Sequence, residues 1–259
     1  WKQFWLHLPL IQVWFPTGYV GEWNGPSWSL SAEWWAYCVF PMYAWIFMGL
    51  RARPWALLAL ALVSMVACDA LSWTVLGMMA PHAENGLALV RIAGTFLYGC
   101  ALYAFLGRMP QGLNLARSVF AVLVVTIVLS MHFSVDDRII VLLAGPFVLS
   151  LAWMDRDSPP RAQTPLNRFF HFGGEASYAL YLLHVPILML WKQGFAILLG
   201  LDPDRTFGLL ETSLLLVVTL GLSALAYLWV EKPSRRILRS AGERWLAERR
   251  SRTGTAPAE

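Results

Sequence analysis

The sequence predicts an all-α, polytopic transmembrane helical bundle, and three observations carry that prediction. Hydrophobic residues fill 58% of the 259 positions and charged residues only 14%, against about 25% charged in a soluble domain. Mean hydropathy is +0.53, so there is more apolar surface than one core can bury, and the excess must face lipid. The apolar residues also fall into long runs bounded by charges, Pro and Gly, at 28–50, 55–76, 90–107, 118–133, 139–153, 176–200 and 208–230.

Length decides what each run can do. A helix needs about 20 residues to cross the hydrocarbon, within a range near 17–25, and five of the runs meet that. The fourth and fifth are short. They stand or fall together around Ser134-Val135-Asp136-Asp137-Arg138, as two tightly linked spans or as a hairpin that dips in and returns. The chain opens on Trp1-Lys2-Gln3-Phe4-Trp5-Leu6, with no initiator Met and no cleavable signal pattern. Residues 1–15 therefore read as the outer end of an eighth helix whose beginning is missing.

Orientation follows from Lys and Arg. Alternate connections carry Arg51 and Arg53, then Arg108 and Arg117, then Arg156, Arg161 and Arg168, then a tail from Lys232 to Arg252. Positive residues mark the cytoplasmic side, so the C-terminus is expected inside and the start of run 28–50 outside. The same distribution accounts for a pI of about 9.1; the charges lie scattered over short loops, which excludes nucleic acid as a partner. Cys38, Cys68 and Cys100 sit within apolar runs as small hydrophobes, their spacing fits no zinc or redox pattern, and no metal site is expected.

Three local patterns carry chemistry. In Pro26-Ser27-Trp28-Ser29-Leu30-Ser31-Ala32-Glu33 a carboxylate stands one turn inside an apolar helix. Such a group costs a few kcal/mol at membrane depth unless it meets a partner or water, so it marks a functional site by default. Ser29, Glu33 and Tyr37 are four residues apart and share a helix face. A plainer reading has Ser27 capping the helix and Glu33 complementing its dipole.

The second pattern, Gly173-Gly174-Glu175-Ala176-Ser177-Tyr178-Ala179-Leu180-Tyr181-Leu182-Leu183-His184-Val185-Pro186, opens the sixth run. Ser177, Tyr181 and His184 share a face, Pro186 tends to kink the helix beside His184, and imidazole can hold or relay a proton near neutrality. The third is Val230-Glu231-Lys232-Pro233-Ser234-Arg235-Arg236, where Pro is expected to end the last span and the cations meet an anionic leaflet. Asp69 and Arg91 are further charges at membrane depth, placed to line a cavity or reach the interface.

Together these segments resemble the membrane-bound acyltransferase 3 family, enzymes that O-acylate bacterial surface polysaccharides and other exported glycans. The likeness rests on Trp28-Ser29-Leu30 with Glu33 and Tyr37, on Ser177-Tyr178 with Leu180-Tyr181-Leu182, His184 and Pro186, and on Glu231 with Pro233 and Arg236. Arg91 followed by Phe96-Leu97-Tyr98-Gly99 supports it. The resemblance implies a ten-helix domain in the bacterial cytoplasmic membrane, here covering 1–240 with its first helices missing, and a cytoplasmic tail at 241–259 that is disordered at its end.

It also implies a cytoplasmic acyl-CoA donor, acetyl-CoA being the expected case, with no bound cofactor. The acceptor would be a hydroxyl of a glycan or lipid-linked sugar. Glu33 and His184 become the catalytic candidates; Trp28, Ser29, Tyr37, Arg91, Tyr178 and Tyr181 become substrate-binding candidates. The family's proposed catalytic His and its cytoplasmic Arg-x-x-Arg pair both fall before Trp1. His7 follows Lys2 by only five residues and is not promoted, and the pairs Arg236/Arg239 and Arg249/Arg252 lie at the wrong end of the chain. This fragment alone is accordingly expected to be inactive. The competing class is a sugar or lipid transporter without covalent chemistry, and a third is a pseudoenzyme.

Overall fold

The computed structural model describes residues 2–15, 24–82, 88–159, 164–202 and 205–253, and every regular element among them is helical. In chain order these are α1 (Lys2–His7), α2 (Ser27–Cys38), α3 (Phe40–Leu50), α4 (Pro54–Leu76), a 3₁₀ turn (Ala80–His82), α5 (Ala88–Leu106), α6 (Leu113–His132), α7 (Asp137–Asp157), α8 (Pro165–Leu199), α9 (Leu209–Ala226), a π turn (Tyr227–Glu231) and α10 (Lys232–Thr253). Six helical stretches among the described residues are long and apolar enough to cross a membrane. Ile197, Leu198, Leu209 and Leu210 are each more than 80% exposed, as lipid-facing side chains are. The chain is a multi-pass membrane protein, and it divides into a unit at Trp1–Arg161 and a unit at Ala162–Glu259.

Several boundaries differ from those expected. Run 28–50 is not one helix, because Pro41 has no N–H to offer the Tyr37 carbonyl. The backbone leaves helical geometry at Val39 (φ −91°, ψ 3°) and restarts with Pro41 in the first turn of α3. The two short runs become full helices of 20 and 21 residues, since Arg117, Asp137 and Arg138 sit inside terminal turns where charges reach the interface. Asp136 fixes the start of α7 by accepting the Arg138 N–H at 2.9 Å.

Pro233 does not end the last span. The π turn shifts the hydrogen-bond register so that Lys232 N–H reaches the Tyr227 carbonyl, and Pro233 then occupies the first turn of α10, where its missing donor does no harm. Helix therefore runs on to Thr253; residues 254–259, the expected disordered end, lie outside the described residues.

In the first unit the core gathers Tyr43, Leu57, Ala61, Leu97, Tyr98 and Ala101 between α3, α4 and α5. Gly94 lets α5 approach Met65 closely, since a Cβ there would lie 3.1 Å from the Met65 Cα. Where α5 meets α7, Pro146 lacks the N–H that would bind the Leu142 carbonyl, and the Tyr98 hydroxyl donates to that oxygen instead at 2.9 Å. Gly145 makes room for the ring, for a Cβ there would collide with Tyr98 Cε1. In the second unit Ala176 and Ala179 of α8 pack on the buried Tyr227.

Candidate active-site elements

The start of α2 is held by the segment before it. Gln12 Nε2 donates to the Ser27 carbonyl and hydroxyl at 3.0 and 3.1 Å, Val13 N–H to Ser31 Oγ at 3.3 Å, and Trp14 Nε1 to the Ser31 carbonyl at 2.9 Å. Ser27 does not cap the helix. Its hydroxyl donates to the Asn24 carbonyl at 2.7 Å, and the N-cap position belongs to Pro26. Ser27, Leu30, Ser31 and Ala36 are thereby buried, which turns the opposite face outward. Ser29 is half-buried on that face, and Glu33 and Tyr37 are exposed. Among the described residues Glu33 makes no hydrogen bond or ion pair.

Trp28 and Arg91 meet directly. The Arg91 guanidinium carbon lies 5.1 Å from the Trp28 ring centroid, within cation–π range. Arg91 also lines a cavity of about 380 Å³ together with Asp69 and Arg138, so the two membrane-depth charges noted in the sequence share one space. Asp69 is committed there: Oδ1 accepts the Ala80 N–H at 2.9 Å and Oδ2 lies 3.0 Å from Arg138 Nε.

In the second unit, α8 presents Tyr178 and Tyr181 on its exposed side and His184 half-buried beyond them. The His184 Nδ1 lies 2.8 Å from the Tyr181 carbonyl. A carbonyl accepts only, so the ring donates from Nδ1. The Tyr181 and His184 rings stand 5.9 Å apart, and Ser177 donates to the Gly174 carbonyl at 2.7 Å. Further along, the Tyr227 hydroxyl donates to Glu175 Oε2 at 2.6 Å, and Lys232 Nζ sits 5.7 Å from the Tyr227 ring centroid. Glu231 pairs with Arg235 at 3.5 Å.

A model of the acyltransferase 3 family, described as an acyltransferase domain, matches residues 1–228. The chain belongs to that family. The matched stretch contains Trp28, Glu33, Arg91 and His184, and it ends before Glu231, Pro233 and Arg236. Comparison with curated proteins and with solved structures returns no match.

This membrane acyltransferase also carries contacts that local sequence patterns did not reveal. Arg205, in the connection after α8, makes a bidentate pair with Glu211, which also accepts Trp191 Nε1–H at 3.0 Å. That carboxylate pushes the Arg205 guanidinium further up from its ordinary value. At the far end of the first unit, Arg108 donates to the carbonyls of Arg51 and Ala52, and Arg156 to those of Leu106, Met109 and Pro110. Arginines that served above only to orient the chain thus tie three connections together. No group of three potential metal ligands occurs among the described residues.

Proposed function

We propose that this acyltransferase moves an acyl group, acetyl in the expected case, from cytoplasmic acyl-CoA to a hydroxyl of an exported glycan or lipid-linked sugar. The observation that carries the reading is Glu33: an exposed carboxylate on α2, turned away from its own unit's packing and left without a partner among the described residues. An acceptor hydroxyl would supply the missing hydrogen bond. The Arg distribution supports an outward-facing Glu33 and a cytoplasmic C-terminus, and the family supports a bacterial cytoplasmic membrane.

In the reaction the acceptor oxygen attacks the thioester carbonyl and loses its proton to a general base. The tetrahedral intermediate then collapses, the C–S bond breaks, and the CoA sulfur leaves as a thiolate that takes up a proton. Glu33 orients the attacking hydroxyl by accepting a hydrogen bond from the acceptor. His184, with Nδ1 anchored and Nε2 open, receives or passes a proton. In the first unit Trp28, Ser29, Tyr37 and Arg91 offer aromatic and polar surface to a sugar or an acyl donor, and in the second unit Tyr178 and Tyr181 do so.

The test uses full-length protein in membranes with labelled acetyl-CoA, reading label in glycan. Glu33→Gln should cut transfer at least tenfold at normal expression. Unchanged turnover removes the role of Glu33, and the absence of labelled glycan with the native protein removes the acceptor class.

A further inference from the structure

We infer that the cavity between α4, α5 and α7 is a lipid site, built to take an apolar chain that ends in a phosphate. Most of its wall is hydrocarbon, from Leu62, Met65, Val66, Val141 and Leu142, and its size of about 380 Å³ falls within the roughly 300–1,000 Å³ typical of small-molecule sites. All three helices are long and apolar enough to cross the membrane.

Polar groups gather at one place on that wall. Arg91, Arg138 and Asp69 all line it. Arg138 commits Nε to Asp69 at 3.0 Å and keeps Asp136 at 3.8 Å from Nη1, beyond hydrogen-bond distance. Its remaining donors form the fork that matches phosphate oxygens. Arg91 is steadied by the Trp28 ring, and Asp69 is itself fixed by the Ala80 N–H. A free sugar or a free phosphate would leave the apolar part of such a wall unfilled. A phosphate-headed lipid satisfies both halves.

Two sources share this chemistry, a bilayer glycerophospholipid and a polyprenyl phosphate carrier, and binding measurements separate them. Full-length protein in detergent is titrated with a labelled polyprenyl phosphate, using phosphatidylglycerol, the uncharged polyprenol and inorganic phosphate as competitors. Both phosphate lipids should compete, polyprenol at least tenfold more weakly, and inorganic phosphate not at all over the same concentrations. A tenfold preference for the polyprenyl phosphate identifies the carrier; equal competition identifies a bilayer lipid.

Arg138→Gln and Val141→Trp should each weaken binding at least tenfold, and Arg53→Gln should leave it unchanged. Val141→Trp fills the wall without touching the ion pair, so it reports even if Arg138→Gln fails to fold. Equal binding of polyprenol, competition by inorganic phosphate alone, or native affinity in Val141→Trp overturns the proposal. No acyl donor enters the measurement, so its failure is distinct from failure of the transfer reading.

Discussion

Asp69, late in α4, accepts the Ala80 N–H and sits 3.0 Å from Arg138 Nε, whereas Glu33, early in α2, makes neither a hydrogen bond nor an ion pair among the described residues. Both are carboxylates of one unit, Asp69 in a helix long and apolar enough to cross the membrane and Glu33 in the 12-residue α2. A carboxylate at the centre of a span costs roughly 2.5–3.5 kcal/mol, and Asp69 offsets that cost with partners of its own chain. Glu33, exposed near the start of its helix, has no such partner among the described residues. An exposed carboxylate in that position is available to something outside the fold, and in an acyltransferase the acceptor hydroxyl is the natural claimant.

The sharpest way to break the comparison is to neutralise each carboxylate and read activity and stability separately. Glu33→Gln should lose at least tenfold in transfer, a barrier increase of at least about 1.4 kcal/mol, with its thermal midpoint in detergent unchanged. A fall in that midpoint matching the loss of activity would make Glu33 a structural residue like Asp69.

Asp69→Ala should show the converse signature in stability. It removes the acceptor of the part-buried Ala80 N–H, a loss of about 1–3 kcal/mol, while the exposed Arg138 turns to water and Asp136, so the unfolding midpoint should drop. A midpoint equal to that of the native protein would show that water replaces both contacts and that Asp69 is no better partnered than Glu33.

Replacing both members of the pair sharpens the point further. The pair is partly exposed, at 43% for Arg138 and 23% for Asp69, and an ion pair open to solvent contributes only about 0–1 kcal/mol by itself. Asp69→Leu combined with Arg138→Met should therefore be no less stable than Asp69→Ala, the loss in both being that of the Ala80 acceptor. The same double variant should still lose the phosphate lipid, because the fork on Arg138 is gone. Stability without lipid binding would separate the structural work of this pair from its proposed ligand.

Hydropathy made the bundle legible, and the side chains exposed to lipid agree with it. Helical spacing also put Ser29, Glu33 and Tyr37 on one face, because that depends only on neighbours within two turns. The pairing of Asp69 with Arg138 and the contact of Trp28 with Arg91 span more than 60 residues of sequence, and no local period encodes them. The prolines teach the same lesson. Pro41 breaks its helix, Pro233 is absorbed by a register shift, and Pro146 is bridged by a tyrosine from another span; the letter P announces an unbound carbonyl, but the element that answers it is chosen by packing.

Tyr98 provides the neutral counterpart to the two carboxylates and the smallest expected effect. Its hydroxyl serves the Leu142 carbonyl that Pro146 leaves without a helical donor, with Gly145 clearing space for the ring. Tyr98→Phe keeps the ring, its packing and its fit over Gly145, and removes only one donor. The loss should be about 1 kcal/mol, the net value of a single neutral hydrogen bond, read as a shallow drop in thermal midpoint. Transfer per folded molecule should stay at the native level, since Tyr98 bridges α5 and α7 and is not among the proposed catalytic or substrate-binding groups. If Tyr98→Phe instead abolished transfer while the midpoint held, having a partner would no longer mark a structural polar group in this bundle, and Glu33 would lose the ground on which it was singled out.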